Sequence, residues 1–209
     1  MSKKIFYPIN LDVENKKCIV VGGGKVALRK ISDLVKAGAN VEVISPEVCA
    51  EISELVETGK INLVREKYSP EKISGGLILI AATDNPEVNR QIAEDGRRKK
   101  FLVNVVNGAE SDFFVPSKIL REDFQLTIST GGNSPAFSRF VRLMLEKEFD
   151  SNFGECLKII SRYREKLKKK FPDTEERKNF WREFLTPEIW QFIKAGDFKK
   201  LEELLQAVV

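Results

Sequence analysis

The chain passes from an apolar run to a helical pattern across three consecutive glycines, Gly22-Gly23-Gly24, and that junction restricts what can be built around it. Cys18-Ile19-Val20-Val21 leads in, and Lys25-Val26-Ala27-Leu28-Arg29-Lys30 leads out. The stretch reads as a buried strand, a tight turn and the open N-terminus of a helix. Gly22 permits the sharp turn, Gly24 leaves no side chain between the backbone and a bound pyrophosphate, and the small Ala27 lets the helix pack close to a sheet. Unpaired helix N–H groups and the positive dipole end would then face the phosphates. A glycine triplet alone occurs in many turns; strand before and helix after are the context that a dinucleotide fingerprint demands.

The same alternation continues. Strands are expected over 17–22, 41–45, 61–64, 77–82 and 101–106, with helices over 24–37, 46–58 and 86–99 between them. Gly38 follows the first helix as a C′ residue, and Pro86 opens the third behind cap-type residues. Leu77-Ile78-Leu79-Ile80-Ala81-Ala82 is almost wholly apolar, as a parallel strand covered on both faces should be. The fold class is therefore α/β, a Rossmann-like doubly wound parallel sheet. Its strand carboxyl ends at 22–25, 45–47, 83–85 and 106–108 should share one rim, where the ligand crevice lies. Phe6-Tyr7-Pro8-Ile9 reads as a short edge strand ahead of this unit.

Beyond residue 112 the rhythm changes. Phe113-Phe114-Val115-Pro116 and Phe124–Ser129 are expected as two strands, followed by the turn Thr130–Ser134 and an amphipathic helix from Pro135 to about Phe149. Such a unit cannot bury both faces alone; pairing with a second copy is one remedy and packing on the first domain another. From Ser151 onward the pattern is all-helical, its aromatics forming a small core. The expected organisation is a dinucleotide-binding domain at 1–112, a small α+β dimerisation segment at 113–150 and a C-terminal helical domain at 151–209.

Composition narrows the chemistry. The chain contains no histidine, which excludes a Ser-His-Asp triad, a histidine metal site and imidazole acid–base catalysis. Cys18, Cys49 and Cys156 have no metal-site or disulfide spacing, so no metal site is expected. A net charge of +4 does not call for nucleic acid, and no apolar run approaches membrane-spanning length. The N-terminus lacks the long apolar region of a signal peptide, so the expected location is cytoplasmic, without nucleic-acid or membrane partners.

Several short stretches, in order, resemble the precorrin-2 dehydrogenase family, the dehydrogenase/ferrochelatase part of siroheme synthases. They are Tyr7-Pro8-Ile9-Asn10-Leu11, Val20–Lys30, Ala81-Ala82-Thr83-Asp84-Asn85, Asn104-Val105-Val106, Phe113-Phe114-Val115-Pro116 and Ser129–Pro135. The resemblance implies a homodimer that oxidises precorrin-2 to sirohydrochlorin with NAD in siroheme and tetrapyrrole synthesis, some members also inserting iron. No methyltransferase domain is read here, so the preceding step is expected on another chain. One position departs from the family: an aspartate regarded as important for catalysis follows the Asn-Val-Val strand in many members, and here that position is Asn107. An amide can orient a ligand but cannot accept a proton near neutral pH. Metal insertion, which needs two pyrrole protons removed, should suffer more from that amide than hydride transfer. Glu110 and Asp112 are nearby carboxylates. A bifunctional dehydrogenase/ferrochelatase and a non-catalytic tetrapyrrole- or nucleotide-binding regulator remain the alternatives.

The candidate catalytic position is thus Asn107. Candidate cofactor-binding residues are Gly22, Gly23, Gly24, Lys25, Val26, Ser45, Pro46, Glu47 and Thr83. At the second strand's end, Glu47 would either reach the ribose or favour its helix through the dipole. Candidate substrate-binding residues are Ser129, Thr130, Asn133 and Arg139, suited to carboxylates through hydroxyls, an amide, a helix start and a guanidinium, or else forming an ordinary capped turn. The runs Arg97-Arg98-Lys99-Lys100 and Lys166-Leu167-Lys168-Lys169-Lys170 read as solvated helix ends and faces.

Overall fold

The computed structural model describes residues 5–106 and 111–209. The chain divides into two compact units, 1–115 and 116–209.

In the first unit, β1 (Lys17–Val21), β2 (Asn40–Ile44), β3 (Asn62–Val64), β4 (Ile78–Ala81) and β5 (Leu102–Val105) form one five-stranded sheet in the order β3-β2-β1-β4-β5. Every pairing is parallel. The helices α1 (Lys25–Lys36), α2 (Ala50–Glu57) and α3 (Pro86–Arg98) are the crossovers. Side chains alternate across the sheet with a period of two, and both sides are covered. Cys18, Val20, Val41, Val43, Ile78 and Ile80 pack with Ala27, Ile31, Leu34 and Ile52. On the opposite face Ile19, Val21, Ile44, Leu79, Ala81 and Val103 pack with Ile92 and Ala93. This is the doubly wound core that the near-continuous apolar strands require.

Two local expectations are corrected. Residues 5–13 form no strand: Ile5, Tyr7 and Ile9 are exposed, and only Phe6 among this group packs edge-on against a ring, that of Phe114. The second helix begins at Ala50 rather than 46, because the Cys49 N–H donates to the Gly23 carbonyl at 2.9 Å and holds the preceding residues as a loop against the glycine turn.

The basic run at the end of α3 is exposed, as expected, and three of its side chains also make defined contacts. Arg97 Nε donates to Asp112 Oδ1 at 3.0 Å, Arg98 pairs with Asp95, and Lys99 Nζ donates to the Ile73 carbonyl at 2.8 Å. Asp95 is buried and also accepts from the Tyr68 hydroxyl at 2.7 Å; burial, then Asp95, holds that phenol well above its usual range.

In the second unit, β6 (Ser117–Arg121) and β7 (Phe124–Ile128) form an antiparallel hairpin across Glu122-Asp123. Phe113-Phe114-Val115-Pro116, expected as a strand, is not one. The Asp112 N–H donates to the Val103 carbonyl at 2.8 Å and Asn104 Nδ2 to the Phe113 carbonyl at 2.9 Å, so this stretch closes the edge of β5 through scattered bonds instead of a ladder. The helix α4 (Pro135–Glu148) packs on the hairpin, and α5 (Asn152–Lys170), α6 (Thr174–Phe184), α7 (Pro187–Ala195) and α8 (Phe198–Gln206) follow. Phe153, Ile159, Tyr163, Ile189, Leu201 and Leu205 form their core, bordered by Phe180, Trp181 and Phe184. No helix among the described residues is long and apolar enough to cross a membrane.

Candidate functional site

Strand order alone locates the crevice. After β1 the chain moves one way to β2 and β3, then crosses to β4 and β5 on the other side. The two halves separate at the carboxyl ends of β1 and β4, the switch point where ligands of doubly wound sheets sit. Register places Val21 beside both Ile44 and Ala81, and Ala81 beside Val105. Gly22–Lys25, Ser45–Glu47, Thr83 and Val106 therefore follow on one rim.

Each glycine of the triplet is explained differently. Gly22 has φ 128°, and a Cβ there would lie 2.3 Å from the Ala82 carbonyl oxygen, so the β1 turn presses on the end of β4. A Cβ on Gly23 would lie 1.9 Å from the Glu47 carbonyl oxygen. These two are needed for folding. Gly24 is not: a Cβ there would meet nothing within 4 Å. That open space lies directly over the first turn of α1, of which Gly24 is the N-cap.

The helix end is prepared for an anion. Side chains cap α3, α4, α6, α7 and α8, contributed by Asn85, Ser134, Asp173, Thr186 and Asp197. Helices α1, α2 and α5 have no side-chain cap, but α2 and α5 carry Glu51 and Glu155 in their first turns, whereas α1 has no acidic residue there. The first-turn N–H groups of α1 thus have no side-chain acceptor, and the exposed Lys25 adds a cation beside them. A pyrophosphate fits this arrangement in charge, donors and room. Gly24, Lys25 and Val26 would hold it through their backbone N–H groups.

The flanking turns are rigid. Ser45 is buried, and its hydroxyl donates to the Glu47 carbonyl at 2.6 Å. Pro46 and Glu47 are exposed beside it. On the other side Asn89 Oδ1 accepts from the Thr83 N–H at 3.0 Å and from its hydroxyl at 2.7 Å, while Nδ2 donates to the Thr83 carbonyl at 2.9 Å. Asn89 was not singled out from the sequence. Its signal was there: it occupies the same helix face as the buried Ile92, Ala93 and Gly96, a polar residue where an apolar one is expected.

Asn107 and Glu110 lie outside the described residues. What borders them is well held: Ser111 Oγ accepts from the Val105 N–H at 2.9 Å, and Asp112 Oδ2 accepts from the Val103 N–H at 2.9 Å. The Asp112 carboxylate is thus engaged by a backbone N–H and by Arg97.

The candidate tetrapyrrole residues are in the second unit, in a self-contained turn. Thr130 Oγ1 accepts from the Ser134 N–H and donates to the Ser134 carbonyl, both at 3.1 Å. The Gly131 N–H donates to Ser129 Oγ at 3.1 Å, and Asn133 Nδ2 to the Thr130 carbonyl at 2.7 Å. Arg139 is exposed on α4, one turn on.

Comparison with known proteins decides the family. An NAD(P)-binding family model matches residues 9–117, and a model of the sirohaem synthase dimerisation region matches residues 152–208. The chain belongs to the precorrin-2 dehydrogenase/siroheme synthase family. Its first unit is a domain for a nicotinamide cofactor. A siroheme synthase of Chromobacterium violaceum is 35% identical over 193 residues, 92% of this chain and 41% of that protein. Another from Thioalkalivibrio sulfidiphilus is 35% identical over 202 residues, 96% of this chain and 41% of that protein. The chain thus spans about two fifths of the length of these curated relatives. A solved structure of "SirC, precorrin-2 dehydrogenase" matches with a TM-score of 0.78 at 22% identity, covering 95% of this chain and 100% of that one, so the family fold extends over both units.

Proposed function

We propose that this chain oxidises precorrin-2 to sirohydrochlorin with NAD, as a homodimer, in siroheme synthesis. The observation that carries the reading is the uncapped end of α1 beneath an open Gly24, at the switch point of a chain whose relatives are siroheme synthases. A bound nicotinamide supplies a hydride acceptor. The chain's own part is to grip the pyrophosphate through the N–H groups of Gly24–Val26, to hold the Ser45–Glu47 and Thr83 turns rigid beside it, and to orient the macrocycle. Asn107 is assigned an orienting role, because its amide can hydrogen-bond but not take up a proton. Ser129, Thr130, Asn133 and Arg139 are assigned to the substrate's carboxylates, with the helix start and guanidinium as the charge-complementary groups.

The domain scheme accompanies this reading: cofactor domain at 1–112, dimerisation segment at 113–150 and helical domain at 151–209, although the sirohaem synthase dimerisation-region model matches 152–208, within the helical domain. The same amide favours a dehydrogenase with weak or no chelatase activity. Anaerobic conversion of precorrin-2 with NAD, followed by absorbance, tests both on this chain and on Asn107→Asp. Turnover in the unmodified chain, with iron insertion no faster than without protein, is expected. No turnover in either form, alongside tight tetrapyrrole binding, would leave a binding protein instead.

A further inference from the structure

A doubly wound domain that prefers NAD to NADP usually carries a carboxylate at the end of its second strand, holding the ribose hydroxyls and repelling a 2′-phosphate. Here the residue directly after β2 is Ser45, which cannot do this: it is buried and its proton is donated to the Glu47 carbonyl. The first carboxylate beyond β2 is Glu47. Two hydrogen bonds and one close packing fix where it stands. Ser45 Oγ holds the Glu47 carbonyl at 2.6 Å, that carbonyl rests where a Cβ on Gly23 would be, and the Cys49 N–H holds the Gly23 carbonyl at 2.9 Å. The backbone of residue 47 therefore cannot shift without the glycine turn on which the pyrophosphate is gripped.

The dipole role also falls away. Helix α2 starts at Ala50, so Glu47 precedes its first turn, where the acidic residue is Glu51. The Glu51 carboxyl is held below its usual range by its own backbone N–H first, then by Cys49. The Glu47 side chain is exposed next to the glycine turn that its own carbonyl packs against.

Resting on the dinucleotide reading above, we infer that Glu47 is the residue by which this chain selects NAD over NADP, and that Ser45 is its positioning residue. A counter-charge exists: Arg65, exposed, follows the end of the adjoining strand β3. Among the described residues no hydrogen bond ties it to the glycine turn, so it does not share the fixed geometry of Glu47.

Calorimetric titration of the full chain with NAD+ and with NADP+, at low and high salt, tests this. The unmodified chain binds NAD+ about tenfold or more tightly than NADP+, as a charge-assisted hydrogen bond lost and a repulsion gained imply. Salt narrows the gap, since screening weakens the repulsion. Glu47→Gln binds both nucleotides with comparable affinity and loses the salt dependence of the ratio. Ser45→Ala lowers the ratio without removing its salt dependence, and Arg65→Ala keeps it. An unchanged ratio in Glu47→Gln, or equal binding of both nucleotides by the unmodified chain, overturns the inference. Those results leave a measured precorrin-2 oxidation standing. Conversely, a ratio that responds as expected in a chain that does not oxidise precorrin-2 upholds the inference and overturns the dehydrogenase reading.

Discussion

Asn89 holds Thr83 by three hydrogen bonds, two accepted at Oδ1 and one donated from Nδ2, and so ties the first turn of α3 to the carboxyl end of β4. The pair does for the far side of the crevice what Ser45 and Glu47 do for the near side. Because Asn89 is buried, its amide must be satisfied, and Thr83 satisfies it almost completely.

Asn89→Leu keeps the volume and removes every partner. The Thr83 N–H is then left in a partly buried position without its acceptor, which costs about 1–3 kcal/mol. Urea unfolding followed by circular dichroism should show the midpoint falling at unchanged slope. Cofactor affinity should fall with it, because the turn that borders the crevice is no longer fixed. Asn85→Ala, which removes only the cap of α3, should cost about 1 kcal/mol.

How much of this was legible in the sequence depends on the length scale of each signal. The glycine triplet between an apolar run and a helical pattern announced β1, α1 and the open helix end, since backbone geometry there leaves few alternatives. The strand ends followed, because parallel strands buried on both faces read as continuous apolar runs. Asn89 left a signal, a polar residue on the face of α3 that carries Ile92, Ala93 and Gly96, but only the fold reveals what it touches. The hairpin was shifted for a related reason: Phe113-Phe114-Val115 looks more strand-like than Ser117-Lys118-Ile119-Leu120-Arg121, yet only the latter finds a partner across the Glu122-Asp123 turn. The early start assigned to α2 failed on a single long-range bond, Cys49 to Gly23, that no local pattern encodes.

The three glycines should separate folding from binding. Gly22→Ala and Gly23→Ala drive a Cβ into the Ala82 and Glu47 carbonyls and should give little folded protein. Gly24→Ala has room, so its thermal midpoint should stay within a few degrees of the unmodified chain, a change at an N-cap of about 1 kcal/mol. Its dinucleotide affinity should nonetheless fall by at least about tenfold, because the methyl occupies the space assigned to the pyrophosphate. Calorimetry beside a thermal melt checks both; normal affinity in a folded Gly24→Ala would remove the phosphate from this helix.

The cysteines give a pH signature. Burial pushes the Cys156 thiol up to about 11 from its ordinary 9.0, and burial raises Cys18 as well, against a smaller lowering by the Ile78 backbone. In each case the folded state holds the protonated form more tightly. The resulting stability is fully present below the ordinary value and is lost as pH rises through the folded one. Unfolding curves should therefore weaken between about pH 9 and 11, and Cys156→Ala should flatten that decline for the second unit. Alkylation near neutral pH, read by mass spectrometry, should reach the half-buried Cys49 first and the other two only on unfolding.

The apolar face of α4 makes the strongest demand on assembly. Phe137, Phe140, Leu143 and Met144 are exposed by 57%, 58%, 45% and 53%, and Ser138 is the one side chain of this helix that is buried. Their spacing of three and four residues sets them along one broad stripe, with the rings of Phe137 and Phe140 6.4 Å apart. A stripe of this kind on a soluble helix marks a contact surface. In a two-fold dimer every substitution acts twice, so Phe140→Glu should remove about 1.5–3 kcal/mol per copy and weaken association by about 100- to 20,000-fold. Light scattering coupled to size exclusion, at micromolar chain, should show a dimer for the unmodified protein and a monomer for the variant, with helical content retained. A Phe140→Glu chain that still elutes as a dimer would move the interface off α4, and a monomeric unmodified chain would leave the stripe facing water.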